Sequence, residues 1–331
     1  MREHTFGKRT AAIAATVVIA AAACALNGDT FLIALLLGRS FITLKELNSS
    51  VVLDMNSLLT TRQNSILPDY LQIPLLGSRM TDVLLFVYVS IVTSLSVFYT
   101  IGGFLHVCYY HLQRHVPYEW KCQPKRFLTD ANHRHEVLVG TLNMTMNAVI
   151  SGLLTTNIYN GGYTTLYFNI ADWGYLYLIL STVGTFVYVE AASYYMHRFC
   201  HVPLIYKRIH KHHHRYHSPT AFAAVAMHPV EVLAYQSLLI LPMFIIPIHA
   251  AAYVSILLYD YYFGMLDHSG IMMDSWLPWQ PPTKFHDDHH KYFHCNFGFN
   301  TFAFDQFHDT IRKKDRQYGE SLFGGHGKKQ T

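Results

Sequence analysis

The chain has 331 residues, of which 51% are hydrophobic, 15% aromatic and only 14% charged. Soluble domains carry about 25% charged residues, so this composition argues against a soluble protein and favours a single membrane-embedded unit. A formal net charge of +4 without a concentrated basic groove also argues against nucleic-acid binding. The 22 histidines outnumber the 21 acidic residues, and histidine is a common metal ligand.

Apolar segments close to the roughly 20 residues needed to cross a bilayer recur along the chain. The first, 11–26, follows a basic start and predicts an uncleaved signal anchor rather than a signal peptide. Further spans are predicted at about 83–105, 137–158 and 173–195. The last apolar block, about 230–266, contains two prolines and predicts two closely connected segments that form a hairpin.

The distribution of basic residues predicts the orientation in the membrane. Cytosolic loops carry an excess of Lys and Arg, and residues 160–172 contain neither. The loop before residue 137 instead contains Arg114, Lys121, Lys125, Arg126 and Arg134. A cytosolic N-terminus followed by four spans therefore places residue 196 onward, including the C-terminus, in the cytosol.

Two short motifs agree with this topology. Asn48-Ser49-Ser50 is a glycosylation sequon in a loop that would be lumenal. Lys328-Lys329, close to the C-terminus, resembles the dilysine signal that returns membrane proteins to the endoplasmic reticulum. Together they predict a multi-pass protein of the endoplasmic reticulum membrane.

Three histidine boxes lie on the predicted cytosolic side, an HxxxH followed by two HxxHH motifs. Residues at i, i+3 and i+4 share one face of a helix, so each HxxHH should aim three imidazoles at one point. Eight histidines exceed one tetrahedral or octahedral site, which predicts two metal ions. The predicted ligands are His197 and His201, then His210, His213 and His214, then His286, His289 and His290, with His268 as the ninth.

Metal-bound histidines usually donate their second N–H to a carboxylate or a carbonyl. The residues predicted to surround the ligands are His217, His228, Glu231, Asp267, Asp287 and Asp288, with Glu190 as a further carboxylate. His228 is also a candidate for the substrate side. The sequence does not pair these residues with individual ligands.

Imidazole binds iron, copper, zinc and nickel. Iron is favoured because a pair of redox metals can reduce dioxygen and oxidise an aliphatic C–H bond, which no side-chain base can deprotonate. Zinc, the substitute, would imply hydrolysis through a metal-bound water. The sequence has no GxGxxG, P-loop or GxSxG motif. Because no haem or flavin module is recognisable, neither cofactor is expected and electrons must come from a separate protein.

The ordered boxes after a hydrophobic N-terminal half resemble the sterol desaturase and fatty acid hydroxylase superfamily. The resemblance covers about residues 175–312 and is carried by 206–214 and 286–305. It implies a membrane di-iron enzyme of the endoplasmic reticulum that uses dioxygen and electrons from a b-type cytochrome and its reductase.

Two segments resemble different branches of the superfamily. Residues 218–223, followed by His228, resemble sterol C-5 desaturases, whereas 267–270 resemble sterol C-4 methyl oxidases and side-chain sterol hydroxylases. The predicted function is oxygen-dependent hydroxylation or C-4 methyl oxidation of a sterol-like lipid in sterol or lipid biosynthesis. Sterol C-5 desaturation is the alternative, and fatty acyl hydroxylation and metal transport are remoter ones.

The predicted fold is all-α, a multi-span transmembrane helical bundle with a cytosolic helical cap that carries a histidine-rich dimetal site. Residues 1–130 are predicted to form an N-terminal membrane-anchor region with the signal anchor and a transmembrane helix. Residues 131–331 are predicted to form a fatty acid hydroxylase-like catalytic domain with membrane helices and the three boxes.

Overall fold

The computed structural model describes residues 80–275 and 277–329. The predicted signal anchor at 11–26 and the sequon at Asn48 lie outside the described residues. Helices dominate the part of the chain that is described, so the predicted all-α class is confirmed.

The described residues form nine α-helices. They are α1 Met80–Leu105, α2 Pro117–Trp120, α3 Asp130–Tyr159, α4 Gly174–Cys200, α5 Pro203–Arg208, α6 Pro229–Ile240, α7 Ala250–His268, α8 Lys284–Tyr292 and α9 Ala303–Phe307. A π-helical turn, His106–His111, continues α1, and 3-10 helices cover Ile170–Asp172, His210–Arg215, Ala221–Val225 and Leu241–Phe244. Two short strand pairs complete the fold: β1 Leu166–Tyr167 runs parallel to β2 Ile248–His249, and β3 Arg316–Gln317 antiparallel to β4 Lys328–Lys329.

Three helices are long and apolar enough to cross a membrane, namely Met80–His111, Asp130–Tyr159 and Gly174–Cys200. They correspond to three of the predicted spans. The second of them begins earlier than its apolar run, because the Thr129 side chain accepts a hydrogen bond from the Asn132 backbone N–H and caps the helix there.

The apolar block at 230–266 forms two connected helical segments, as predicted. Proline lacks a backbone N–H and interrupts helices, and Pro242 and Pro247 lie between α6 and α7. The Tyr253 hydroxyl donates to the Leu239 carbonyl at 2.7 Å, so α7 folds back onto α6.

The largest buried apolar cluster lies between α1, α3, α7 and the 3-10 helix at Ala221–Val225. Phe98 of α1 is fully buried and its ring meets that of Phe222 edge-on, with centroids 5.2 Å apart. Asn143 of α3 donates from Nδ2 to the carbonyls of Val225 and Met227, both at 2.8 Å. The helices before residue 160 therefore hold the segment that follows the second histidine box.

The loop after α2 connects two segments that border the histidine-rich region. Lys121 has no exposed surface, and its Nζ donates to Ser218 Oγ at 2.9 Å. The Cys122 N–H donates to the Gly270 carbonyl at 2.9 Å. Because Lys121 is buried, this member of the basic loop is not available on the surface. The predicted division at residue 130 stays a prediction.

Candidate metal centre

The structure gathers the nine predicted ligands into two buried groups. The five-histidine group contains His197, His201, His210, His214 and His289, with one ring nitrogen of each within 4.8 Å of the others. The four-histidine group contains His213, His268, His286 and His290, under the same limit. The two groups are adjacent, since the ring centroids of His214 and His290 are 5.0 Å apart. No ligand candidate is more than 4% exposed.

Each box occupies a different kind of backbone. His197 and His201 lie at the C-terminal end of α4, with ring centroids 5.1 Å apart, as expected for i and i+4 positions. The third box lies on α8, and His268 is the last residue of α7. The second box forms a six-residue 3-10 helix, His210–Arg215, which is longer than most helices of that type.

The expectation that each HxxHH aims three imidazoles at one point is wrong. In the second box His213 belongs to the four-histidine group and His214 to the five-histidine group. In the third box the corresponding neighbours are His290 and His289. Successive side chains are rotated by about 100° in an α-helix and about 120° in a 3-10 helix. Adjacent histidines therefore point in different directions, and each HH pair contributes one ring to each of the two groups.

Backbone carbonyls fix the orientation of three rings. His197 Nδ1 donates to the Phe297 carbonyl and His289 Nδ1 to the Cys295 carbonyl, each at 2.7 Å. His268 Nδ1 donates to a carbonyl of its own helix at 2.6 Å. A neutral imidazole with its proton on Nδ1 has a lone pair on Nε2. All three rings therefore present Nε2 as the ligand atom.

A carboxylate has the same role at His210. His210 Nδ1 lies 2.5 Å from Glu231 Oε1, and both side chains are at most 2% exposed. Glu231 lies in the first turn of α6, where the His228 side chain accepts from the Val230 backbone N–H and caps the helix. The carboxylate orients the ring and increases the basicity of its other nitrogen.

The inward-facing nitrogens are arranged as a metal would require. His214 Nε2 lies 3.1 Å from His210 Nε2 and 3.0 Å from His289 Nε2. His201 Nε2 and both ring nitrogens of His290 are buried without a hydrogen-bond partner among the described residues. Buried polar atoms are normally paired, and a cation between converging lone pairs would satisfy one nitrogen of each of these rings. The residues present therefore fit a metal site.

Burial keeps these imidazoles in the form that binds metal. Removal from water lowers the pKa well below the ordinary histidine value, and neighbouring imidazoles lower it further. This holds for His201, His210, His213, His214, His286, His289 and His290. Metal ions bind neutral imidazole, so ligands in this environment need not lose a proton first.

The acidic residues predicted around the ligands have different environments. Asp288 forms ion pairs with Lys284 at 3.0 Å and with Arg312 at 3.6 Å. Asp287 accepts from Gln123 Nε2 at 3.2 Å, and burial raises its pKa to about 6. Asp267 is 2% exposed, and its carboxylate oxygens have no hydrogen-bond partner among residues 80–275 and 277–329. Of these acids and Glu231, the described hydrogen bonds connect only Glu231 to a ligand candidate.

The remaining candidates lie outside both groups. His217 is exposed, and its ring meets that of Phe293 with centroids 5.4 Å apart. His228 caps α6 and lies beside His212, with centroids 5.4 Å apart. Glu190 accepts from Asn300 Nδ2 at 2.8 Å.

The sequence analysis missed His294. This residue is fully buried, and its Nδ1 lies 2.9 Å from His201 Nδ1. Its i+4 spacing from His290 was a usable signal, but an uninterrupted helix would have placed it beside the four-histidine group. Instead α8 ends at Tyr292, and Phe293 has a φ of 72°, which turns the chain toward the five-histidine group.

Comparison with known proteins identifies the region around the site. Residues 182–310 match the family model described as Fatty acid hydroxylase. The chain is 33% identical over 154 residues to the Delta(7)-sterol 5(6)-desaturase ERG3B of Gibberella zeae, covering 45% of this chain and 48% of that protein. It is 32% identical over 141 residues to lathosterol oxidase of Mus musculus, covering 41% of this chain and 47% of that protein. The chain thus spans about half the length of the curated relatives it matches, and no solved structure gives a significant match.

Proposed function

We propose that the protein is a membrane oxidoreductase of the sterol desaturase and fatty acid hydroxylase superfamily that oxidises a sterol-like lipid with dioxygen, because residues 182–310 match the fatty acid hydroxylase family and the similar proteins include a sterol desaturase. The observation that carries this proposal is the pair of adjacent, buried histidine groups. Relatives named for sterol desaturation and lathosterol oxidation support the sterol-like substrate.

The proposed cofactor is a pair of iron ions, one in each histidine group. Iron ions bound there would supply the redox chemistry that lets dioxygen oxidise an unactivated C–H bond. The chain's own contribution is to hold each ligand ring in one orientation through the carbonyls of Phe297, Cys295 and Gly264 and the carboxylate of Glu231. Burial of all nine rings also limits the access of bulk water.

The position of the groups suits a lipid substrate. His197 and His201 lie at the end of α4, which is long and apolar enough to cross a membrane. Phe299 stacks on the His197 ring at 4.9 Å and lies 5.4 Å from that of His286. Its ring centroid is also 6.2 Å from that of Tyr235 in α6. Aromatic side chains therefore lie next to both histidine groups, which suits an apolar substrate.

Metal content and oxygen labelling test the proposed function. Purified protein should contain about two irons per chain and, if it hydroxylates, should transfer labelled oxygen from dioxygen to its product. His213→Ala should reduce iron content and activity. His212→Ala is the matched control, because His212 is the exposed neighbour outside both groups. Full activity without redox-active metal would contradict the proposal.

Two reactions remain candidates within this chemistry. Residues 267–270 favour hydroxylation or C-4 methyl oxidation, whereas residues 218–223 and the names of the relatives favour C-5 desaturation. The sterols of cells lacking the protein distinguish them. Retained methyl groups or a missing hydroxyl would indicate oxygenation, and a missing ring double bond would indicate desaturation. An unchanged sterol profile, together with altered metal uptake, would favour a transporter.

We further propose that electrons come from an external b-type cytochrome and its reductase. Lys207, Arg208 and Arg215 are exposed beside the second box, and a basic surface attracts an acidic redox partner. Lys207→Glu combined with Arg208→Glu should raise the KM for the cytochrome, most strongly at low salt. Activity with a small neutral reductant should stay unchanged. Equal loss with both electron donors would contradict a docking role.

A further inference from the structure

We propose that His294 is a positioning residue that fixes the His201 ring and connects this ligand candidate to the C-terminal segment 316–329. The inference rests on the proposed metal site. His294 has no exposed surface and contacts His201 across 93 positions of sequence. Among the described residues it approaches the five-histidine group and not the four-histidine group.

The hydrogen bonds of His294 determine which nitrogen of His201 faces the metal. A carbonyl can only accept, and the Glu320 carbonyl lies 2.9 Å from His294 Nε2, so Nε2 carries the proton. A second proton would bury a positive charge, which is costly, so His294 Nδ1 has a lone pair. That lone pair accepts from His201 Nδ1–H at 2.9 Å. His201 Nε2 is then unprotonated, and it is the buried, unpartnered atom of this ring.

The partner of His201 differs in kind from those of the other oriented rings. His197, His289 and His268 donate to backbone carbonyls, and His210 pairs with a carboxylate. A backbone carbonyl is fixed by the course of the chain, whereas the imidazole of His294 can rotate about its side-chain bonds and must itself be held in place. The orientation of His201 therefore depends on whatever orients His294.

The C-terminal segment orients His294. The Phe323 ring packs on that of His294, with centroids 4.2 Å apart. The Glu320 side chain is held by Lys211 Nζ at 2.7 Å and receives a weaker bond from the Tyr206 hydroxyl at 3.4 Å. The ion pair with Lys211 connects the segment to the second histidine box, and the segment acts on His201 through its contacts with His294.

Substitution of His294 should weaken one metal site and not the other. Loss of a partner outside the ligand shell commonly lowers metal affinity about 10- to 100-fold. Apo-protein of the full chain in lipid nanodiscs is titrated with Co²⁺, and visible absorption should show two binding phases in the wild type. His294→Phe should weaken a single phase by about 10- to 100-fold and leave the other unchanged.

Two conservative variants separate positioning of the ligand from anchoring of the segment. In His294→Asn the amide lies near the position of Nδ1 and can still accept from His201, but the bond to Glu320 is lost, so the affected phase should be stronger than in His294→Phe and weaker than in the wild type. In His294→Gln the amide lies near Nε2 and can still donate to Glu320, but the acceptor for His201 is lost, so one phase should weaken. His326→Phe is the matched control, because His326 is an exposed histidine of the same segment, bonded to the Asp309 carbonyl.

Each other outcome overturns the proposal. Binding that Gln rescues and Asn does not would assign His294 to anchoring alone. Equal weakening of both phases, with a lower unfolding temperature, would indicate a general structural role. Two unchanged phases in every variant would refute this inference and leave the proposed function intact. A wild-type protein that binds no Co²⁺ and no iron would refute both.

Discussion

At the scale of single residues, each histidine ring has one nitrogen that faces its group and one that faces away. The hydrogen bond made by the outward-facing nitrogen fixes the orientation in which the ring presents the other one. Four of the nine rings donate from Nδ1 to an oxygen that belongs to the chain. Glu231 is the one side chain among these acceptors, so it can be changed without disturbing the backbone. The site's dependence on ring orientation can therefore be tested at His210.

Glu231→Leu should lower metal affinity about 10- to 100-fold, because His210 Nδ1 would lose its acceptor in a buried position. Retention of iron during dialysis against a chelator measures this effect. Asp288→Asn is the control, since Asp288 lies within the third box but pairs with Lys284 and Arg312 rather than with a ligand candidate. Equal retention by the two variants would show that the Glu231 contact does not support the site.

Gly270 is required by the backbone that follows His268. Its φ is +68°, and an added Cβ would lie 2.6 Å from Tyr110 Oη and 2.9 Å from the Pro219 carbonyl. Gly270→Ala should therefore destabilise the protein by at least about 1–3 kcal/mol, the usual cost of a left-handed residue with a side chain. Gly264→Ala should not, because nothing lies within 4 Å of its added Cβ. Thermal unfolding in detergent compares the two, and a similar midpoint for both would contradict the expectation.

At the scale of elements, the packing of α1 against α3 depends on close approach of two backbones. An added Cβ at Gly152 of α3 would lie 2.5 Å from the Cα of Val87 in α1. Small residues at such crossings let membrane helices approach each other. The same two helices hold Ala221–Val225 beside the second box, so their separation should also disturb the site.

Gly152→Ala should accordingly lower stability by about 1–3 kcal/mol, the usual cost of overpacking, and should reduce iron retention. Gly103→Ala in α1 is the matched control, since an added Cβ there meets nothing within 4 Å. The unfolding midpoint and the iron content of the purified variants report on the two effects. Unchanged values for Gly152→Ala would mean that α1 can shift without consequence.

The elements also show where reasoning from periodicity fails. Three spans were predictable because hydropathy is a local property, and each helix extends beyond its apolar run because capping and polar ends are not part of that signal. The division of each HxxHH between two groups follows from the angle between adjacent residues on a helix. The position of His294 could not be predicted in this way, because it depends on the left-handed conformation of Phe293.

At the scale of the whole molecule, the charge pattern predicts that the histidine groups and the C-terminus face the cytosol. Labelling of single introduced cysteines tests this orientation. Lys125→Cys lies in the loop between α1 and α3, and Tyr163→Cys lies in the loop between α3 and α4; both positions are exposed. In sealed microsomes with the cytosolic face outward, an impermeant maleimide should label only the first.

The wild-type chain controls for labelling of its own cysteines, among which Cys108 and Cys122 are partly exposed. Labelling of both introduced cysteines after detergent treatment confirms that each position is reactive. Labelling of Tyr163→Cys alone in sealed microsomes would reverse the proposed topology. It would also place the histidine groups in the lumen, away from a cytosolic electron donor.

The sequence by itself determined three of the spans, the residues that gather in the two histidine groups and the resemblance to a family, because apolar runs and i, i+3, i+4 spacings are local features. Only the tertiary structure decided how the nine rings divide into five and four, which acid supports a ligand candidate and how His294 meets His201. Those contacts join positions as distant as 93 residues, and they depend on packing and on one left-handed backbone conformation. A local pattern identifies which residues are available, whereas the long-range contacts determine which nitrogen each histidine presents.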